Sequence, residues 1–66
     1  MIEIFGKDSC PYTMAAVEAY RAKGAVYINV KKNPAELERM LEFSKGQRRV
    51  PVIVEDGAVT IGYGGT

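Results

Sequence analysis

Cys10 is the only cysteine in this 66-residue sequence, and its neighbours give it chemistry. It opens the stretch Cys10-Pro11-Tyr12-Thr13, directly after a short apolar run and directly before a helix-like run. A helix start presents unsatisfied N–H groups and a partial positive charge, which favour a thiolate over a thiol. Pro11 fits the first helical position, where its missing N–H costs nothing. Lys7 stands three residues earlier, placed to stabilise an anion at the sulfur and to meet a substrate carboxylate. Taken alone, a lone cysteine is more often a small apolar filler at a strand end, and a lone lysine a solvated loop residue. The second cluster is Gln47-Arg48-Arg49 ahead of Val50-Pro51. Read without context it is a solvated face; beside a groove its donors suit a carboxylate.

Composition removes several alternatives. Sixty-six residues make a single domain, 1–66, which buries only about 60% of its unfolded surface. One cysteine forms no internal disulfide, and the absence of histidine excludes zinc centres and Cys-His or Ser-His catalysis within the chain, so no metal is expected. Nine basic against eight acidic side chains leave a formal charge of +1, which argues against a nucleic-acid partner. No signal peptide is visible, and no apolar stretch approaches the roughly 20 residues of a membrane span. A free thiol without an export signal suits the cytoplasm.

The elements that must position Cys10 follow from periodicity and punctuation. Ile2 to Phe5 reads as a strand and Gly6 to Ser9 as a loop. Pro11 to Lys23 reads as a helix with Met14, Val17 and Tyr20 at core spacing and Gly24 just past its end. Ala25 to Val30 alternates as a strand. Asn33-Pro34-Ala35-Glu36 has the form of a helix start, with an Asn cap and a Glu able to reach back. Leu37, Met40 and Leu41 form that helix's buried stripe, Lys45 suits its end, and Gly46 stops it. Phe43 is either core or an exposed patch. Pro51 to Glu55 reads as a buried strand, Asp56-Gly57 as a two-residue hairpin turn, and Ala58 to Gly62 as the returning strand. The order is βαβαββ. The first crossover makes its strands parallel, the hairpin is antiparallel, and the chain after the second helix pairs with the free side of the first strand. That routing brings Cys10 beside the loop before Pro51. The expected fold is α/β, a four-stranded mixed sheet with both helices on one face.

Three segments in this order resemble the glutaredoxins of the thioredoxin superfamily. They are Lys7-Asp8-Ser9-Cys10-Pro11-Tyr12-Thr13, Gly46-Gln47-Arg48-Arg49-Val50-Pro51, and Gly62-Tyr63-Gly64-Gly65. The chain looks most like very short glutaredoxin-like proteins, some of which carry selenocysteine at the reactive position. It departs from the family at Thr13, which stands where a second, resolving cysteine would be, at Arg49, where the family has threonine, and at the missing third helix.

The resemblance implies a minimal thioredoxin-like fold and a glutathione-linked thiol-disulfide oxidoreductase of monothiol type. It implies a cis bond between Val50 and Pro51, which turns the Val50 backbone toward the thiol for an extended peptide to pair with. Cys10 would be the nucleophile, with Pro11 and Thr13 beside it. Thr13 would donate its hydroxyl to the sulfur or cap the helix. Glutathione would meet Lys7, Tyr12, Gln47, Arg48, Arg49, Val50 and Pro51, together with the turn Gly62, Tyr63, Gly64 and Gly65. Either Gly62 or Gly64-Gly65 corresponds to the family's turn glycines. Glutathione is then co-substrate, and glutathionylated or disulfide-containing proteins are the partners. Two alternatives stay open: an electron carrier like the glutaredoxin-like donors of ribonucleotide reductase, and a glutathione-dependent iron–sulfur cluster module.

Two further expectations concern behaviour. Without a third helix one sheet face is thinly covered, which suggests a weak homodimer. Cys10 should titrate below the usual thiol value, unless Asp8 lies close enough to oppose it.

Overall fold

A computed structural model describes residues 1–66. The chain runs β1 (Ile2–Gly6), α1 (Pro11–Tyr20), β2 (Val26–Asn29), α2 (Pro34–Ser44), β3 (Val52–Glu55) and β4 (Ala58–Ile61), and a single 3-10 turn, Arg21–Lys23, follows α1. The sheet order is β2-β1-β3-β4. β1 pairs parallel with β2 and antiparallel with β3, and β3 pairs antiparallel with β4. This is the expected βαβαββ mixed sheet. The Asp56-Gly57 turn has φ of 49° and 89°, the left-handed pair that a two-residue hairpin requires.

The helices lie on opposite faces, not on one. Ile2, Ile4 and Ile53 pack with Ala16 of α1, supported by Val17, Tyr20 and Ala25. Phe5, Val52 and Val54 pack with Val30 and with Met40 of α2, supported by Leu37, Leu41 and Phe43. Alternation along β1 explains the split, since neighbouring residues of a strand point to opposite faces. The chain travels outward from β1 to β2 through α1, then back across β1 to β3 through α2. Reversing the direction of travel sends the second helix to the other face. β1 is therefore buried on both sides, and full burial of side chains such as Phe5 and Ile4 contributes about 1.5–3 kcal/mol each. Phe43 belongs to this core, its ring 5.9 Å from that of Phe5.

Local details differ from expectation. Met14 is exposed; the buried residues of α1 are Thr13 and Ala16, with Val17 and Tyr20 partly covered beside them. Small residues there let the helix approach β1 closely: a Cβ on Gly6 would lie 2.3 Å from Thr13 Cγ2. Asn33 makes no side-chain cap and instead donates to the Asn29 carbonyl at 3.0 Å. Glu36 does not reach back but pairs with Arg39, which also holds Glu3 of β1 at 3.1 Å. α2 ends with Lys45 in the left-handed region, φ 57°, its N–H and that of Gly46 both meeting the Leu41 carbonyl. The face expected to be thinly covered is less apolar than supposed. Cross-strand partners share a face, so β4 presents Ala58 and Thr60 beside Glu55 and Ile53 on the α1 side. No helix is long and apolar enough to cross a membrane.

Candidate active site

The end of β1 turns through Lys7 to Cys10, closed by a Cys10 N–H bond to the Lys7 carbonyl at 3.2 Å. Cys10 then occupies the position just before α1, with extended backbone, and its own carbonyl accepts from the Met14 N–H at 3.1 Å. Across from it, the loop after α2 is anchored by the buried Ser44 hydroxyl, which donates to the Gln47 carbonyl at 2.7 Å. That loop delivers Arg48, Arg49 and Val50, and the Val50–Pro51 bond is cis. The Cys10 Sγ lies 3.9 Å from the Val50 carbonyl oxygen. Strand order thus brings together two segments forty residues apart in the chain.

A cleft of about 330 Å³ opens here. Of the residues singled out in the sequence, Lys7, Cys10, Pro11, Tyr12, Arg48, Arg49 and Val50 line it. Gln47, Pro51, Gly62, Tyr63, Gly64 and Gly65 do not. Gln47 is exposed and acts through its backbone; Pro51 is buried behind Val50, with its carbonyl accepting from the Gly62 N–H at 2.7 Å. Gly65 serves the site indirectly: a Cβ there would lie 2.6 Å from Tyr12 Cζ, so the last turn backs the Tyr12 ring. Tyr63 packs edge-on against Tyr20, with ring centroids 6.2 Å apart. Ser9 and Thr66 also line the cleft and carried no signal in the sequence beyond Ser9's adjacency to the thiol.

The electrostatics of the sulfur are a contest. Burial, the largest single influence, pushes the Cys10 thiol up. The Thr13 hydroxyl, the backbone N–H groups of Thr13 and Tyr12, and the Lys7 charge together outweigh it and hold the thiol below its ordinary value. Thr13 Oγ1 is fully buried and has no partner that satisfies hydrogen-bond geometry. The two observations fit one picture. The protonated sulfur is a weak donor turned toward Val50; once ionised it becomes an acceptor, and the waiting hydroxyl is its neighbour. Thr13 is thus not a helix cap, since α1 has no side-chain cap. Asp8, the residue able to oppose ionisation, accepts a 2.7 Å hydrogen bond from the Tyr27 hydroxyl and is not among the groups that shift the thiol. Tyr27 itself is pushed well up by burial and by the Asp8 carboxylate.

The family model described as Glutaredoxin matches residues 2–59. No curated protein matches the chain. Among solved structures, the thioredoxin-like protein BC3987 is 28% identical over 96% of this chain and 88% of its own, with a TM-score of 0.78. A point mutant of that protein gives the same identity and TM-score over 86% of its length. A glutaredoxin from Archaeoglobus fulgidus, 20% identical over 94% of this chain and 74% of its own, shares the fold with a TM-score of 0.72.

Proposed function

The chain belongs to the glutaredoxin family, which supports a thiol oxidoreductase role, and on that premise we propose that it is a single-thiol oxidoreductase that uses glutathione. The observation that carries this reading is one juxtaposition: a thiol shifted toward its anion on the wall of a cleft that also holds Lys7, Arg48 and Arg49. Glutathione brings two carboxylates to meet such cations, and its extended backbone suits pairing with the backbone at Val50.

The reaction needs one protein thiol. The Cys10 thiolate attacks the glutathione sulfur of a glutathionylated protein. A Cys10–glutathione disulfide forms, the S–S bond between glutathione and the substrate protein's sulfur breaks, and the protein leaves as a thiolate that takes up a proton. The thiolate of a second glutathione then attacks the glutathione sulfur held on Cys10. Glutathione disulfide leaves, and Cys10 returns as a thiolate. Thr13 and the two N–H groups at the start of α1 receive the negative charge each time it returns to Cys10. Thr13 has no thiol to resolve the adduct internally, so the second glutathione does so.

Intact mass after incubation with glutathione disulfide tests this. One glutathionyl increment, lost in Cys10→Ser and slowed several-fold in Lys7→Ala or Arg48→Ala, is the expected result. Absence of an adduct, or an adduct indifferent to both cations, would overturn it.

A further inference from the structure

A second cleft, of about 340 Å³, adjoins the reactive one and is lined by Asp8, Ser9, Asn29, Lys31 and Lys32. Ser9 lines both clefts and forms the partition between them. The second cleft has no hydrophobic residue in its lining, and its polar groups are set among the carbon stems of those same side chains. Its charges are unequal. Asp8 is engaged by the Tyr27 hydroxyl, whereas neither Lys31 nor Lys32 takes part in any ion pair. The lysines are also held in place at their backbones. Asn29 Oδ1 accepts from the N–H of Lys31 at 3.0 Å and of Lys32 at 3.2 Å, which fixes the turn leaving β2.

We propose that this cleft binds an acidic side chain of the protein substrate, close in sequence to the glutathionylated cysteine that the reaction at Cys10 releases. The proposal rests on the oxidoreductase reading and names the class of protein that the site prefers. A segment lying across Cys10 in extended form has side chains two residues apart on the same side, about 7 Å along the chain. A carboxylate at that spacing is placed to reach past Ser9 toward the cleft that Lys31 and Lys32 line beside Asp8. Solvent-exposed ion pairs each give a factor of roughly 1.5 to 5, so two together give roughly two- to twenty-five-fold. Low salt strengthens the effect and speeds encounter.

Two glutathionylated peptides test it, identical except for Asp or Asn at the second residue on each side of the cysteine. The wild-type protein should deglutathionylate the Asp peptide with kcat/KM higher by a factor in that range, roughly two to twenty-five. Lys31→Gln/Lys32→Gln should bring the ratio to about one, leaving the Asn peptide and a small glutathione mixed disulfide unaffected. Salt near about 0.5 M should do the same, because it shortens the screening length to a few ångströms. Equal rates in the wild type, or a preference that survives the double substitution, would overturn the assignment. If neither peptide nor the small disulfide reacts, the oxidoreductase reading fails by itself. The cleft is then judged by fluorescence anisotropy with the corresponding serine peptides: tighter binding of the Asp form, lost in the double variant, supports it, and equal binding overturns it.

Discussion

The Tyr27 hydroxyl on β2 holds the Asp8 carboxylate at 2.7 Å, two residues before the thiol. This bond ties a potential opponent of ionisation to the neighbouring strand. In Tyr27→Phe the carboxylate keeps its charge and is free to swing toward the sulfur, and a negative neighbour disfavours the thiolate. The midpoint of iodoacetamide alkylation against pH should rise. In Tyr27→Phe/Asp8→Asn the charge is gone, and the midpoint should return to the wild-type value or below. A rise that persists in the double variant would point to lost packing rather than charge.

Thr13→Val separates stability from reactivity. The buried hydroxyl lacks a partner while the sulfur is protonated, and leaving such a group unsatisfied costs about 1–3 kcal/mol. Valine has nearly the same shape. Below the thiol's folded pKa the variant should be as stable as the wild type or more so, by up to about 1 kcal/mol in urea unfolding. Its alkylation midpoint should move up, because the anion has lost a donor.

Ionisation of Cys10 also links folding to pH. The folded value is depressed, so its contribution to stability is fully present above the unfolded thiol's value, about 8.5. It is lost as pH falls through the lower folded value. The urea midpoint of the wild type minus that of Cys10→Ser should therefore grow as pH rises across that window and level off above it. A flat difference would show that the thiol is not shifted.

Gly6→Ala should disturb the site from beneath. The new methyl would sit 2.3 Å from Thr13 Cγ2 and 2.5 Å from Oγ1, so the start of α1 must lift from β1. Overpacking of this kind costs about 1–3 kcal/mol. Thr13→Ala in the same chain removes both clashing atoms and should restore most of the lost melting temperature. It should not restore the low thiol pKa, because the hydroxyl is gone.

Gly65→Ala should act on the opposite wall. Its methyl would meet the Tyr12 ring at 2.6 to 3.0 Å. The ring must move, and the adduct with glutathione should form more slowly; the melting temperature should fall as well, because φ at Gly65 is 158°, a backbone that alanine rarely adopts.

Much of this molecule was legible beforehand. The order of elements follows from period-two runs, the Pro11 and Pro34 helix starts and the Asp56-Gly57 turn, and the meeting of Cys10 with Val50 follows from strand order alone. The side of the sheet taken by each helix was not legible, because it depends on the direction in which the chain crosses β1 and not on any residue pattern. Met14 misled for a local reason: helix α1 presents small residues to the sheet, so its buried stripe carries little hydrophobic contrast. The Tyr27–Asp8 bond joins residues nineteen apart through tertiary structure, and neither residue signals the other. Motif position assigns Gln47 and the last glycines to glutathione; what motif position does not show is that the Gln47 carbonyl anchors the loop through Ser44 and that Gly65 backs the Tyr12 ring.

β1 has a neighbouring strand on each edge and a helix on each face, whereas β2 and β4 are both edge strands. Amide protons in such a central strand exchange with solvent only in openings that approach global unfolding, while those at the edges exchange through small local fluctuations. The reactive sulfur is therefore tethered, four residues past Gly6, to the part of the chain that opens last. The geometry around the sulfur thus outlasts fraying of the two edge strands.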